Sequence, residues 1–447
     1  MRGDLMADAA GSGPGLLRGL RVLDCTHSWA GPVATQFVAF FGAEVIHVEP
    51  PRRPDRWRGP VTPGPDTPLA YRYPGGEPGK RPFDRNGLFN EKNTNKLGLS
   101  LDIAHPRGRE LFGALVRQSD AVVTNFGART IRKLGLDHES LAALKPDIVS
   151  LSLTGFGETG PEADYAAWGT TIEALSGLSN QKGYPDGPPL LSNMAYGDPV
   201  GGIYGGVALL TALWHRQRTG QGQHIDLSLL ECSATLCIDA IAAFTATGML
   251  QSRSGNRHPD HAPRGCYRCA GEDRWLALTV ASDAQWATLR EIMGNPAWAD
   301  AEHLSSAQGR RAHHDELDRR LAEWTCTRDR DVLMHKLQEA GIAAGSVLSN
   351  LELLHDPQLL SRGFFCELDH PEAGRHSYPR LPFHLSRTPG ALRRPAPGFG
   401  EHTDLVLREL LGLGDEDLRP LLQSNVVGRS PSPPSHPVAP EAKQGTT

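Results

Sequence analysis

Asp198, in NMAYGDPVGGIYGG, is the residue best placed by its neighbours to do chemistry. Gly197 lets the chain turn sharply, and Pro199 suits the first turn of the helix that follows. A carboxylate at a helix start, among small residues, has room for a substrate. It can attack an activated acyl group and form a mixed anhydride. The competing role is structural: Asp is among the best N-caps, and local physics alone puts capping ahead.

Other motifs carry less. GFGETG, Gly155–Gly160, follows a strand, where open α/β sheets bind ligands, and reads equally as a flexible turn or as a loop closing over a ligand or anion. Glu49 ends a strand where a ribose-binding acid would sit. The preceding turn is THSWAGP rather than GxGxxG, so a surface acid is favoured over dinucleotide binding. Cys266 and Cys269 form CYRC, with His258 and His261 upstream. The spacing fits no zinc pattern, and no metal is expected. Arg52, Arg53, Arg56, Arg58, Lys96, Arg129, Arg132 and Lys133 fall in or near loops, and some of them could hold phosphates.

The elements that must position these groups alternate between strand and helix. Leu20–Cys25, a helix over Val33–Phe41 and Glu44–Val48 form a βαβ unit, with a Gly31–Pro32 turn before the helix. Strands at Gly98–Ile103, Ala121–Asn125 and Ile148–Leu153, with a helix at Pro106–Gln118, extend a doubly wound parallel sheet. Helices over Gly201–Arg216 and Leu227–Thr247 flank a strand at Gln223–Asp226. Trp275–Val280 and helices near 284–293, 313–323 and 330–340 make a smaller α/β domain. The expected layout is a large Rossmann-like domain over 16–250, a small domain over 251–350, and a segment over 351–424 rejoining the large domain through a helix at Asp404–Leu411. A disordered tail over 425–447 follows, with five prolines between Pro431 and Pro440. Residues 51–93, rich in Pro, Gly and Arg, are too long for an ordinary loop.

Composition narrows the class. The 447 residues carry 46 Lys+Arg against 51 Asp+Glu, a net charge of −5 that argues against a nucleic-acid partner. No apolar run approaches the roughly 18 residues of a membrane span, and the first fifteen residues read as a loose leader without a secretory core. A cytoplasmic protein without disulfides is expected from seven scattered cysteines.

Taken in order, VLDCTHSWAGPVATQ, GAEVIHVEPP, NTNKLGLSLDI, NFGARTIRKLGL, SLTGFGETGP, EALSGL, GYPDGPP, YGDPVGG, RTGQGQHIDLSLLE, DPQLLSRGFF and GEHTDLVL resemble the family III coenzyme A transferases, over about Leu17–Leu411. The resemblance implies an interlocked dimer, of like subunits or with a paralogue, with coenzyme A as co-substrate and no permanently bound cofactor. It puts the nucleophile on Asp198. It puts CoA contacts on the loop after Glu49 (Arg52, Arg53) and on Asn125, Phe126 and Lys133, with Lys96 added from the basic loop residues. Trp29, Trp168, Gly169, Tyr196 and Gly197 line the site. Trp29 stands where the family has a glutamine. Gly169 replaces the acid of the formyl transferases, and Trp168–Gly169 replaces the His-Asp pair of the racemase branch. The implied reaction moves CoA from an acyl-CoA to a carboxylic acid, with an acyl group other than formyl or oxalyl. An acyl-CoA racemase or epimerase, and a non-catalytic acyl-CoA-binding subunit, are the rival readings.

Overall fold

The computed structural model describes residues 15–62 and 72–432, so the N-terminal leader up to 14 and the tail from 433 lie outside the described residues. In chain order the elements begin β1 (Arg21–Cys25), α1 (Ala30–Phe40), β2 (Glu44–Glu49), α2 (Gly87–Lys92), β3 (Leu97–Ser100), α3 (Pro106–Arg117) and β4 (Ala121–Thr124). Next come α4 (Ala128–Leu134), α5 (His138–Leu144), β5 (Val149–Thr154), α6 (Gly169–Leu175), α7 (Leu178–Gln181), α8 (Gly197–Thr219), β6 (His224–Ser228), α9 (Leu229–Ala234) and α10 (Ile238–Thr247). The chain continues through β7 (Arg264–Arg268), β8 (Trp275–Thr279), α11 (Asp283–Met293), α12 (Ala307–Ala312), α13 (His314–Thr325), α14 (Arg330–Glu339) and β9 (Ala343–Ser346). It ends in α15 (Asn350–Leu353), α16 (Pro357–Ser361), β10 (Phe365–His370), β11 (Gly374–Pro379), α17 (Thr403–Leu411) and α18 (Asp415–Gln423).

Two compact units result. One comprises residues up to 178, 191–239 and those from 361 onward; the other comprises 179–190 and 240–360. The expected boundaries at 250 and 350 therefore shift by about ten residues, and 179–190 crosses to the smaller unit. Local hydrogen bonds explain the crossing. Gly255 N–H donates to the Gly183 carbonyl, and Arg253 reaches the carbonyls of Asn180 and Gly187.

In the larger unit a six-stranded sheet is parallel throughout, in the order β3-β2-β1-β4-β5-β6. The strands feed two cores, one on each face of the sheet. Leu23, Ile46, Val48 and Val122 pack with apolar side chains of α3, α5, α17 and α18. Val22, Val45, Val123, Leu151 and Leu153 pack with α1, α6, α8 and α9. Burial on both faces is why these strands read as near-continuous apolar runs. Strand order reverses between β1 and β4, and loops at such a point form the crevice where open sheets bind ligands.

Several expectations need correction. Gly31 and Pro32 belong to the first turn of α1, where Pro lacks only an N–H that would have no acceptor anyway. The tail is ordered as far as 432: Val426 and Val427 are core residues, and Asp102 N–H donates to the Val426 carbonyl. Leu227 and Ser228 lie in β6, so the following helix begins at Leu229. From there Leu229–Thr247 is long and apolar enough, by length and composition alone, to cross a bilayer. Glu231 and Asp239 break the apolar run in sequence but do not break the helical path. The β10–β11 hairpin and α18 were not expected.

The smaller unit holds an antiparallel sheet, β7-β8-β9, over a core of Leu276, Leu278, Trp286, Leu289, Leu317, Leu321 and Leu337.

Candidate active site

A glycine-lined contact brings two helix starts together. A Cβ on Gly202 of α8 would lie 2.7 Å from the Val33 Cβ and 2.8 Å from the Ala30 carbonyl oxygen of α1. Further along α8, Gly205 meets Ala34 and Gly206 meets Phe37. The contacts advance together along both helices, so α1 and α8 run the same way and their N-termini share one end. Trp29 immediately precedes α1, and Asp198 is the second residue of α8.

Asp198 does not cap its helix. Tyr196 holds the cap position, and the Asp198 N–H donates to the Ala195 carbonyl. No hydrogen bond or ion pair to the Asp198 carboxylate exists among the described residues. Burial pushes its carboxyl up to about 6. The positive end of the 23-residue α8 acts in the opposite sense and favours the anion. A partly buried carboxylate left without an internal partner is free to attack.

Gly169, at the start of α6, makes the space. A Cβ there would sit 2.0 Å from Asp198 Oδ2 and 2.9 Å from the Ala195 Cβ. A Cβ on Gly197 would press on Ile172 Cγ2 at 3.1 Å and Ser233 Oγ at 3.2 Å. Trp168 is 57% exposed and Tyr196 39% exposed, so neither ring is used up by the core. Arg56 lies 5.5 Å from the Trp168 ring centroid. Trp57 packs on Trp29 with centroids 5.3 Å apart, and the Lys92 ammonium stands 5.2 Å from the Trp29 centroid. Trp57 and Lys92 had no motif to announce them.

At the β1–β4 crevice, Asn125 clamps the loop after β1. Its Oδ1 accepts from His27 N–H at 2.9 Å, and its Nδ2 donates to the His27 carbonyl at 2.7 Å. Phe126 meets the His27 ring edge-on. The buried His27 Nε2 has no hydrogen-bond partner among the described residues, and burial pushes the imidazole pKa down. Arg52, Arg53 and Lys133 are exposed, with no ion pair of their own among the described residues.

Lys96 is elsewhere. Its ammonium is wholly buried and donates to Asp24 Oδ2 at 2.9 Å, Asn93 Oδ1 at 2.8 Å and the Pro32 carbonyl at 3.0 Å. It holds the base of the sheet and does not reach a phosphate. Burial alone would raise the Asp24 carboxyl, but Lys96 and His47 hold it far below the usual range.

Glu49 is likewise not a surface acid. It is 1% exposed and pairs with Arg58 Nη2 at 2.7 Å. Against the upward push of burial, Arg58 and His47 bring it down to about 2. Glu49 also accepts from Asp55 N–H, and Asp55 in turn accepts from Ser28 N–H at 2.9 Å. This buried relay fixes the turn that presents Trp29.

In the GFGETG loop, Glu158 N–H is already taken by the Asp226 carboxylate at 2.9 Å, which removes that donor from any anion. Among the described residues no group of three or more His, Cys, Asp or Glu could hold a metal.

Comparison with known proteins places nearly the whole chain in one family. CoA-transferase family III matches residues 17–403. The chain is 32% identical over 414 residues to the succinyl-CoA–D-citramalate CoA-transferase of Chloroflexus aurantiacus, covering 93% of this chain and 98% of that one. It is 34% identical over 394 residues to the succinate–glutarate CoA-transferase of Agrobacterium fabrum, covering 88% and 95%. A CAIB/BAIF family protein from Brucella suis superimposes with a TM-score of 0.78 at 30% identity, covering 89% of this chain and 100% of that one. A matching family over nearly the whole length, on a parallel sheet that presents an unpartnered aspartate, leads to one conclusion: the chain belongs to CoA-transferase family III and is an enzyme of that kind.

Proposed function

We propose that Asp198 is the nucleophile of a CoA transfer from an acyl-CoA to a carboxylic acid. The observation that carries this is its partly buried carboxylate, without an internal partner, in the space left by Gly169. Asp198 attacks the thioester carbonyl carbon; a C–O bond forms, the C–S bond breaks, and CoA leaves as a thiolate. The thiolate attacks Cγ of the anhydride, giving an aspartyl-CoA thioester and releasing the donor acid. The acceptor carboxylate attacks the same carbon and displaces the thiolate. The thiolate then takes the acceptor acyl group and frees Asp198. Thioester energy is conserved throughout, so no nucleotide is consumed.

Each attack builds an oxyanion, and we assign its stabilisation to the Gly197 N–H at the start of α8. Removing one such donor costs about 2.7–4 kcal/mol in a comparable site. Trp29, Trp168 and Tyr196 shield the anhydride from water. Exposed Arg52, Arg53 and Lys133 take the CoA phosphates, and Asn125 and Phe126 shape the crevice for the carrier.

The working form is an interlocked homodimer in the cytoplasm. Supporting this, α8 leaves Ile203 58%, Val207 54% and Trp214 59% exposed along one face, and contiguous exposed apolar side chains mark interaction surfaces.

The test is mass spectrometry of protein incubated with succinyl-CoA and quenched with hydroxylamine. A hydroxamate on Asp198 is expected. Full turnover by Asp198→Asn overturns the assignment.

A further inference from the structure

The contacts around Asp198 form a closed circuit. Asp198 touches the space of Gly169; Trp168 precedes Gly169; Arg56 lies over Trp168; Trp57 follows Arg56 and packs on Trp29; Trp29 precedes Ala30, which meets α8 one turn on from Asp198. Lys92 joins the circuit over the Trp29 face. Three indoles and two cations thus form one chain of contacts that starts and ends at segments beside Asp198.

The charges in this ring are unequal. Arg56 is exposed and has no carboxylate partner among the described residues. Its neighbour Arg58 is turned inward and saturated by Glu49 and Asp84. Lys92 is held at the end of α2, which the Gln36 side chain ties to α1 through the Glu91 carbonyl at 2.6 Å. Lys92 is only 15% exposed, and among the described residues its acid partner is Glu91. Burial brings the Lys92 pKa down to about 8, so it stays mostly charged at neutral pH. The indoles suit an acyl chain, but a purely apolar chain leaves the Arg56 guanidinium without a counter-charge, while Lys92 shares its charge with Glu91. A guanidinium presents paired donors matched to a carboxylate.

We propose that Arg56 and Lys92 bind the distal carboxylate of a dicarboxylic acid whose other carboxyl exchanges CoA at Asp198. This rests on Asp198 being the nucleophile and adds the class of acid. Arg56 supplies the paired donors and Lys92 the nearby charge, while Trp29 and Trp168 enclose the methylenes.

The experiment uses succinyl-CoA as donor and compares two acceptors of equal length, glutarate and pentanoate. Wild-type protein is expected to favour glutarate in kcat/KM by about tenfold to a hundredfold, the range for a charge-assisted hydrogen bond. In Arg56→Gln and Lys92→Met this ratio falls toward one. A structural defect lowers both acceptors together and leaves the ratio in place. If the ratio survives in both variants, or if wild type prefers pentanoate, the proposal is overturned. If Arg56→Gln instead raises the KM for succinyl-CoA and leaves the acceptor ratio unchanged, Arg56 serves the CoA phosphates and the proposal is also overturned. Failure of the underlying assignment looks different: no hydroxamate forms on Asp198 with any donor.

Discussion

The Asp198 carboxylate occupies the volume that a side chain at Gly169 would fill, with Oδ2 only 2.0 Å from the place of a Cβ there. The backbone of α6 is buried at that point, so a larger residue has nowhere to retreat and the carboxylate must move. Gly169→Ala is expected to lower kcat about a hundredfold while the protein stays folded, because a shift near 1 Å has that effect on a reacting group. Steady-state kinetics beside circular dichroism check this. Unchanged kcat would mean the carboxylate's position does not matter.

Transfer should fall as pH drops through about 6, the value to which burial raises the Asp198 carboxyl. Only the anion attacks, so kcat/KM at pH 5 is expected near a tenth of its plateau. A pH–rate profile without this acidic limb would contradict the role of Asp198.

The same shift has a stability consequence of definite sign. The folded state binds the proton more tightly than the unfolded chain, whose carboxyl titrates near 3.8. Stability is therefore fully present below about 4 and is lost as pH rises through about 6. Asp198→Asn removes this cost. It should raise Tm at pH 7, by the equivalent of about 1–3 kcal/mol, and leave Tm unchanged at pH 4. Thermal melts at both pH values decide it.

Lys96 answers three buried acceptors, among them Asp24. Lys96→Met strands that carboxylate in the core and should cost about 3–5 kcal/mol. Chemical denaturation measures the loss. The KM for succinyl-CoA of the protein that remains folded should not change, whereas a phosphate-binding lysine would raise it.

The apolar face of α8 should be covered in solution. Sedimentation of the wild-type chain is expected at twice the monomer mass of 48.4 kDa. Val207→Asp, on that face, should shift the equilibrium toward monomer. Monomeric wild-type protein at micromolar concentration would count against the dimer.

Much of the larger unit was legible in the residues. Strands such as LRVLDC and EVIHV are apolar on both faces, and that pattern forms only where helices cover both sides of a parallel sheet. The hairpin at β10–β11 was hidden because its strands are mostly polar and half exposed. The extent of the tail was hidden because Val426 and Val427 make too short an apolar signal beside five prolines.

By itself the sequence determined the family and the sheet, and it singled out the aspartate we propose as the nucleophile. It did so because these depend on local pattern and on motif order along the chain. Only the tertiary structure decided that Asp198 is unpartnered instead of capping, and that Lys96 and Glu49 are interior ion-pair members instead of surface groups. It also brought Arg56 to Trp168, and Trp57 and Lys92 to Trp29. Those outcomes rest on which atoms from distant segments share a dielectric and a hydrogen bond, and neither propensity nor spacing carries that information.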